Sequence, residues 1–456
     1  MFNLKFDFNK KIHFIGIGGI SMSGLAEILI DNGYNISGSD RNKSSFTDKL
    51  EKMGAKIYIG HKAENVHGAD IVVYTAAIKE DNPEIVEAKK LNITLMDRAE
   101  FLGQIMKDFQ KRIAVSGTHG KTTTTSMIAL TLIKAGLDPT VMVGGVVDQI
   151  GGNVRLGKSP YFLAEACEYK GSFLKFYPNI GIILNIDADH LDYYKDIDDV
   201  KAAFLKFANL IPEDGFLIGY FSDSRLLDII NKVKCNTMTY GIKGGDFTAK
   251  NITYDSNGCA AFTAYYEGKE YYNFKLSITG EHNILNALAA IACCHTLGVS
   301  KNIISESLHE YTGTRRRFEI KGKVNGAVIV DDYAHHPTEI KATLKAAKNY
   351  PHKKIYCVFQ PHTYSRTSAL FNEFSNAFYD VDKLILTDIY AAREKDTGIV
   401  SSKMLCDEVC KNGVDAVYIK SFDDIVRYLK ENLEKGDLII TMGAGDVTEI
   451  GDLLLK

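Results

Sequence analysis

Between the run Arg112-Ile113-Ala114-Val115-Ser116 and a helical pattern that stops at Gly136 stand Gly117-Thr118-His119-Gly120-Lys121-Thr122. Glycines in such a loop let backbone N–H groups and the positive end of the helix face a phosphate. A lysine offsets the phosphate charge, and the hydroxyl after it can ligate Mg²⁺. A strict phosphate loop has glycine where this chain has Val115, so the loop is shorter than GxxxxGK[ST]. The other reading is a glycine-rich turn with a solvent-facing lysine. The strand before, the helix after and the threonine run Thr122 to Thr125 favour phosphate.

A second glycine cluster, Gly16-Ile17-Gly18-Gly19-Ile20-Ser21, precedes Asp40 by roughly the spacing of a dinucleotide fold. Ser21 replaces the third glycine of that fingerprint, so the cluster points to a phosphate or pyrophosphate at a helix start rather than to a nicotinamide cofactor. Glu165 and Glu168 close YFLAEACE, and Asn185-Ile186-Asp187-Ala188-Asp189-His190 closes GIILNIDADH. Parallel strands bring such ends to the edge that carries the phosphate loop, where a carboxylate and an imidazole can ligate a second Mg²⁺. Taken singly, each would be a solvated loop residue. Asp331-Asp332-Tyr333-Ala334-His335-His336-Pro337 and Gln360-Pro361-His362-Thr363-Tyr364-Ser365-Arg366 end two later runs. Their histidines, arginine and aspartates can hold a ribose, a phosphate or an amino acid carboxylate, although aspartates there can equally cap helices.

All of these groups need parallel strands behind them, and the pattern supplies three α/β blocks. Residues 1–108 alternate KIHFI, YNISGSD, KIYIG and DIVVYTAA with helical segments, which predicts a Rossmann-like domain. Polar MKDFQK marks a boundary before a central P-loop-type ATPase α/β domain, residues 109–313. That domain includes an antiparallel hairpin in FTAYYEGKEYYNFKLSI with its turn at Glu267-Gly268, and a helix at HNILNALAAIACCHTLG. TGTRRRFEIKGKVNG opens a third, Rossmann-like domain, residues 314–456. The length of 456 residues suits about three domains.

The 54 basic and 57 acidic residues are mixed along the chain, which argues against nucleic acid as a partner. The eight cysteines include no CxxC pair and mostly sit in apolar runs, so they are expected as reduced core thiols. The amino-terminal MFNLKFDFNKKIHF lacks the uninterrupted apolar stretch of a signal peptide, and no run approaches the ~18 apolar residues of a membrane helix. A cytoplasmic protein without a membrane partner is expected, as monomer or weak homodimer.

The stretches HFIGIGGISMSGLAEIL, GTHGKTTTT, NIDADHLD, GEHNILNALAA, TGTRRRFE, DDYAHHPTEI, QPHTYSRT and MGAGD span the chain in order. In them the chain resembles the Mur ligases of bacterial cell-wall synthesis, and among these the members that join L-alanine to UDP-N-acetylmuramate with ATP and Mg²⁺. The resemblance implies that Gly16, Gly18, Gly19 and Ile20 lie near the UDP diphosphate, with Ser39, Asp40 and Thr75 nearer the nucleoside or sugar. It implies ATP at Gly117, Thr118, His119, Gly120, Lys121, Thr122 and Thr123, with Asn283 near adenine, Asp332 at the ribose and Arg317 at the γ-phosphate. Thr122 would hold the nucleotide's Mg²⁺ and Glu165 with His190 the second ion, while His336, His362 and Arg366 would surround L-alanine. Lys121, Glu165, His190 and Arg317 are then the expected catalytic set.

The chain departs from the family pattern in places. Glu165-Ala166-Cys167-Glu168-Tyr169-Lys170 stands where many relatives read EADESD, and Thr363 stands where many have arginine. Leu205, beside Lys206, takes the place at which sister ligases carry a carbamylated lysine, so none is expected. Three other readings are a murein tripeptide ligase of the same family, a nicotinamide-dependent dehydrogenase, which leaves GTHGKT unexplained, and a non-catalytic nucleotide sensor.

Overall fold

The computed structural model describes residues 9–75, 78–392 and 394–456. Most of the stretch inspected for a signal peptide, and Ala76-Ala77 of the expected strand DIVVYTAA, lie outside the described residues. The chain forms two compact units. One comprises Met1–Ile186, Lys201–Thr239 and Ala289–Ser300, the other Asp187–Val200, Tyr240–Leu288 and Lys301–Lys456. The expected α/β class is met, with three sheets of mostly parallel strands.

In the first unit, β1 (Lys11–Ile15), β2 (Asn35–Asp40), β3 (Lys56–Ile59), β4 (Ile71–Tyr74) and β5 (Thr94–Asp97) pair in the order β3-β2-β1-β4-β5, all parallel. Apolar runs such as Ile12, Phe14 and Ile15 bury both faces, as a helix-covered parallel sheet requires. Helices Ser45–Lys52, Pro83–Lys90 and Arg98–Met106 start on the side chains of Ser44, Asn82 and Asp97. Helix Ile20–Asp31 starts at Gly19 and has no side-chain cap.

The second sheet contributes β6 (Lys111–Ser116), β7 (Thr140–Val147), β8 (Gly152–Arg155), β9 (Tyr161–Glu165), β10 (Ile180–Ile183), β11 (Phe216–Tyr220) and β12 (Asn236–Gly241), in the order β12-β11-β10-β6-β9-β7-β8. Val115 of β6 lies beside both Glu165 of β9 and Ile182 of β10, so three parallel strands end together. Helix Ile20–Asp31 packs on the β7–β8 hairpin, where a Cβ on Gly24 would overlap Val154, and Asn153 Nδ2 donates to Ile20 O at 2.6 Å. Helix Arg98–Met106 lies so close to the segment Tyr169–Lys175 that a Cβ on Gly103 would overlap Lys175 O.

The second unit holds β13 (Phe247–Tyr254), β14 (Cys259–Tyr266) and β15 (Lys269–Thr279), an antiparallel set. Glu267 (φ +47°) and Gly268 (φ +78°) make the two-residue turn at the expected place. Its other sheet joins β16 (Glu319–Val324), β17 (Ala327–Asp332), β18 (Ile355–Phe359), β19 (Lys383–Leu386), β20 (Ala416–Tyr418) and β21 (Leu438–Met442) in the order β16-β17-β21-β18-β19-β20, with only β16 antiparallel. Val330, Ile355, Cys357, Phe359, Phe374 and Ile440 belong to its core. All eight cysteines are free thiols. Five are buried, so most are core thiols as expected, while Cys167 and Cys259 are half-buried and Cys410 is exposed.

Candidate active site

The loop after β6 closes on the ends of its neighbours. Gly117 has φ +134°, and a Cβ there would stand 2.9 Å from Leu184 Cβ and 3.0 Å from Leu184 N, so only glycine fits. Thr118 N donates to Asn185 O (3.2 Å), His119 N donates to Asn185 Oδ1 (2.8 Å), and Asn185 Nδ2 donates back to His119 O (3.0 Å). Asn185 thus fixes the loop. Its place in NIDADH was visible in the sequence, but its partner was not, because the contact depends on β10 lying beside β6.

Gly120 (φ +85°) starts helix Lys121–Lys134 without a side-chain cap, which leaves the helix start open to an anion. Lys121 folds inward instead of facing solvent. Its Nζ pairs with Glu168 Oε2 at 3.0 Å and donates to Gly117 O (2.5 Å) and Thr118 O (3.0 Å). Burial works against the ammonium, but Glu168 and Cys167 outweigh it and raise the lysine's pKa, so it is charged at neutral pH. Glu168, offered by the sequence beside Glu165 as a possible metal ligand, is the counter-ion of Lys121. Thr122 Oγ1 donates to Glu165 Oε2 (3.2 Å), and Glu165 Oε1 accepts from Gly144 N (2.5 Å). Two oxygen ligands side by side suit a hard cation such as Mg²⁺. Thr123 is buried, while Thr125 and Ser126 turn their hydroxyls back to Lys121 O and Thr122 O, so the later part of the threonine run serves the helix.

At the other glycine cluster Gly16 has φ +82°, Gly16 N and Ile17 N donate to Ser39 O, and Gly18 N donates to Asp40 Oδ2 at 2.9 Å. A Cβ on Gly18 would stand 2.9 Å from that carboxylate oxygen, so the glycine lets Asp40 hold the loop. Thr75 follows β4, with its methyl 3.8 Å from where a Gly16 Cβ would be. Ser39, which the resemblance puts nearer the nucleoside or sugar, is fully buried, and its hydroxyl donates to Glu84 (2.7 Å), so it supports the loop from beneath.

In the second unit, His190 has a left-handed backbone (φ +56°), uncommon for a residue with a side chain, and its N–H donates to Asp189 Oδ1. Burial raises the Asp189 carboxyl, but Arg366 and the neighbouring His190, His335 and His336 outweigh it and hold it well below the usual carboxylate range. Arg366 meets Asp189 through Nε (3.1 Å) and Nη2 (3.0 Å), and its Nη1 reaches His362 Nδ1 (3.1 Å) and O (3.2 Å). His362 stacks on Tyr390. His336, rather than either aspartate, caps helix Pro337–Lys348: its Nδ1 accepts from Thr338 N, which assigns the proton to Nε2, where it meets Ala188 O (3.2 Å).

Asp332 accepts from Phe318 N and Ala334 N, both at 2.8 Å, and burial pushes its carboxyl up to about 6. Arg317 lies over the Tyr333 ring at 5.2 Å and 3.9 Å from Glu339, whereas Arg316 is tied to Asp331 and to the carbonyls of Gly443 and Gly445. Asn283 is buried. Its amide donates to Thr279 O and its Oδ1 accepts from Asn286. Lys206 is exposed on helix Ile197–Ala208.

Family comparison agrees along the chain. The Mur ligase family, catalytic domain, matches residues 11–110, the Mur ligase middle domain residues 115–294, and the Mur ligase, glutamate ligase domain, residues 316–445. The chain is 58% identical over 455 residues to the UDP-N-acetylmuramate--L-alanine ligase of Clostridium acetobutylicum, covering 100% of this chain and 99% of that one. It is 60% identical over 456 residues to the ligase of the same name from Clostridium kluyveri, covering 99% and 100%. Among solved structures, the UDP-N-acetylmuramate-alanine ligase of Thermotoga maritima superposes with a TM-score of 0.84 at 31% identity, covering 98% of each chain. A murein peptide ligase from Psychrobacter arcticus gives 0.74 at 26% identity over 98% of each. From end to end, the chain belongs to the Mur ligase family.

Proposed function

We propose that the chain joins L-alanine to the lactyl carboxylate of UDP-N-acetylmuramate at the expense of ATP, a step in peptidoglycan precursor synthesis. The observation that carries the reading is the loop Gly117–Thr122 with Lys121 and Glu165 beside it, in a chain about 60% identical over its whole length to ligases of that name. Residues 1–108 would take the UDP-sugar, 109–313 ATP and 314–456 the amino acid. Among the described residues no helix is long and apolar enough to cross a membrane.

In the proposed reaction a lactyl carboxylate oxygen attacks the γ-phosphorus of ATP as the bond to ADP breaks. The alanine amine then attacks the acyl carbon, phosphate leaves, and the amine gives up a proton. Lys121 orients the transferring phosphoryl group and spreads its charge, with Arg317 proposed for the same task. Thr122 and Glu165 are the oxygen donors for Mg²⁺, with His190 added on the resemblance alone. Bound there, the ion would supply further charge neutralisation. Gly117 to Thr123, Asn283 and Asp332 are proposed for ATP. Gly16, Gly18, Gly19, Ile20, Asp40 and Thr75 are proposed for the UDP-sugar, and His336, His362 and Arg366 for L-alanine.

The test is phosphate release from ATP with UDP-N-acetylmuramate present and each amino acid added separately. Release that requires both the UDP-sugar and L-alanine is expected. Release only with a tripeptide would move the chain to the murein peptide ligases, and NADH binding without release would overturn the reading.

A further inference from the structure

Arg98 opens helix Arg98–Met106, directly after its cap Asp97. The guanidinium is half-buried, and burial pushes its pKa below the ordinary arginine value. Of its five N–H donors it uses one among the described residues, Nη1 to Ser21 Oγ at 2.9 Å, and it has no carboxylate partner there. A cation drawn out of water without a counter-charge is costly unless an anion completes it.

The surroundings favour an anion at this point. Ser21 lies in the first turn of helix Ile20–Asp31, which starts at Gly19 without a side-chain cap and follows the loop Gly16–Gly19. The helix that carries Arg98 is held firmly: Asp97 pairs with Lys175, and Gly103 packs against Lys175 O. The arginine is thus fixed in place before a ligand arrives.

We propose that Arg98, with Ser21 Oγ, binds an anionic group of the UDP-sugar substrate, either its diphosphate or its lactyl carboxylate. This assignment rests on the UDP-sugar reading above and adds a cationic residue that the motifs did not reveal. The competing view is a strut, in which Arg98 merely props Ser21.

Calorimetric titration of the full chain without ATP separates these views, with UDP-N-acetylmuramate and with UDP-N-acetylglucosamine, which has the diphosphate but no lactyl carboxylate. Arg98→Met should bind UDP-N-acetylmuramate about tenfold more weakly or worse, while its melting temperature stays or rises because a lone half-buried cation is gone. Equal loss for both ligands assigns the diphosphate, and loss confined to UDP-N-acetylmuramate assigns the carboxylate. Unchanged affinity in a folded variant overturns the proposal, and a lowered melting temperature with unchanged affinity marks a strut. Arg98→Lys, which keeps the charge but loses the fork, should fold in any case and show a smaller loss. Full affinity there and in Arg98→Met would also overturn it. A wild-type chain that binds neither UDP-sugar would instead sink the functional reading.

Discussion

Lys121 is held in position by the protein's own groups. Its pairing with Glu168, which is 2% exposed, means that removing the lysine has two consequences. Lys121→Ala should cut ligation by at least 10²- to 10³-fold, on the order of one lost transition-state donor. It should also lower stability by about 3 kcal/mol, because a buried carboxylate loses its partner. Adding Glu168→Gln should restore most of the stability and none of the activity, as urea unfolding and phosphate release would show. Ligation within about threefold of wild type would remove Lys121 from the mechanism. The lysine's chemistry was legible because Gly120-Lys121-Thr122 is a local pattern. Glu168 lies 47 residues away and reaches it only through the pairing of β6 with β9, which no local signal announces.

Elements bring distant residues together, and two contacts carry predictions. Gly103 lies where helix Arg98–Met106 touches the segment Tyr169–Lys175, so Gly103→Ala must push the two apart. A loss of roughly 1–3 kcal/mol from overpacking is expected, with a raised KM for the UDP-sugar and little change in that for ATP. A melting temperature and UDP-sugar KM equal to wild type would show that the contact yields freely. The second contact is the fork of Arg366 on Asp189. Arg366→Lys should raise the KM for L-alanine about tenfold, a change of about 1.4 kcal/mol, because lysine cannot present two parallel donors. Asp189→Asn keeps the arginine and disturbs the neighbour of His190, so it should raise the Mg²⁺ requirement and leave the alanine KM within about threefold. If steady-state kinetics gave both variants the same alanine KM, Arg366 would act through Asp189 and not on the amino acid. Arg366 was legible as a donor, but the donors it already spends within the protein were not. Asp189 precedes it by 177 residues.

At the scale of the whole chain, the three α/β blocks were readable because parallel strands such as Ile71–Tyr74, Ile180–Ile183 and Leu438–Met442 are apolar runs followed by a turn. The grouping of Asp187–Val200 with the carboxy-terminal residues was not readable, because it depends on contacts such as Arg366–Asp189 and Thr338–Asp187 rather than on pattern. The same unit combines a half-buried histidine and a buried aspartate that oppose one another in their response to acid. Burial, with Arg366 nearby and against the pull of Glu339, pushes His335 down to about 4 from an ordinary 6.5. The unfolded chain therefore takes up this proton first, and the stability contributed by neutral His335 is full above about pH 6.5 and lost as pH falls towards 4. Asp332 runs the other way: its folded value of about 6 lies above 3.8, so its contribution is full below about pH 4 and lost as pH rises through 6. Each is worth about 3 kcal/mol, and between pH 4 and 6 they largely cancel. His335→Gln should expose the aspartate's share. Relative to wild type, the variant should gain about 3 kcal/mol of unfolding free energy between pH 7 and pH 4, measured by urea titration of the full chain across that range. A difference between the two proteins that stayed constant with pH would show that His335 titrates in the folded chain as it does in the unfolded one.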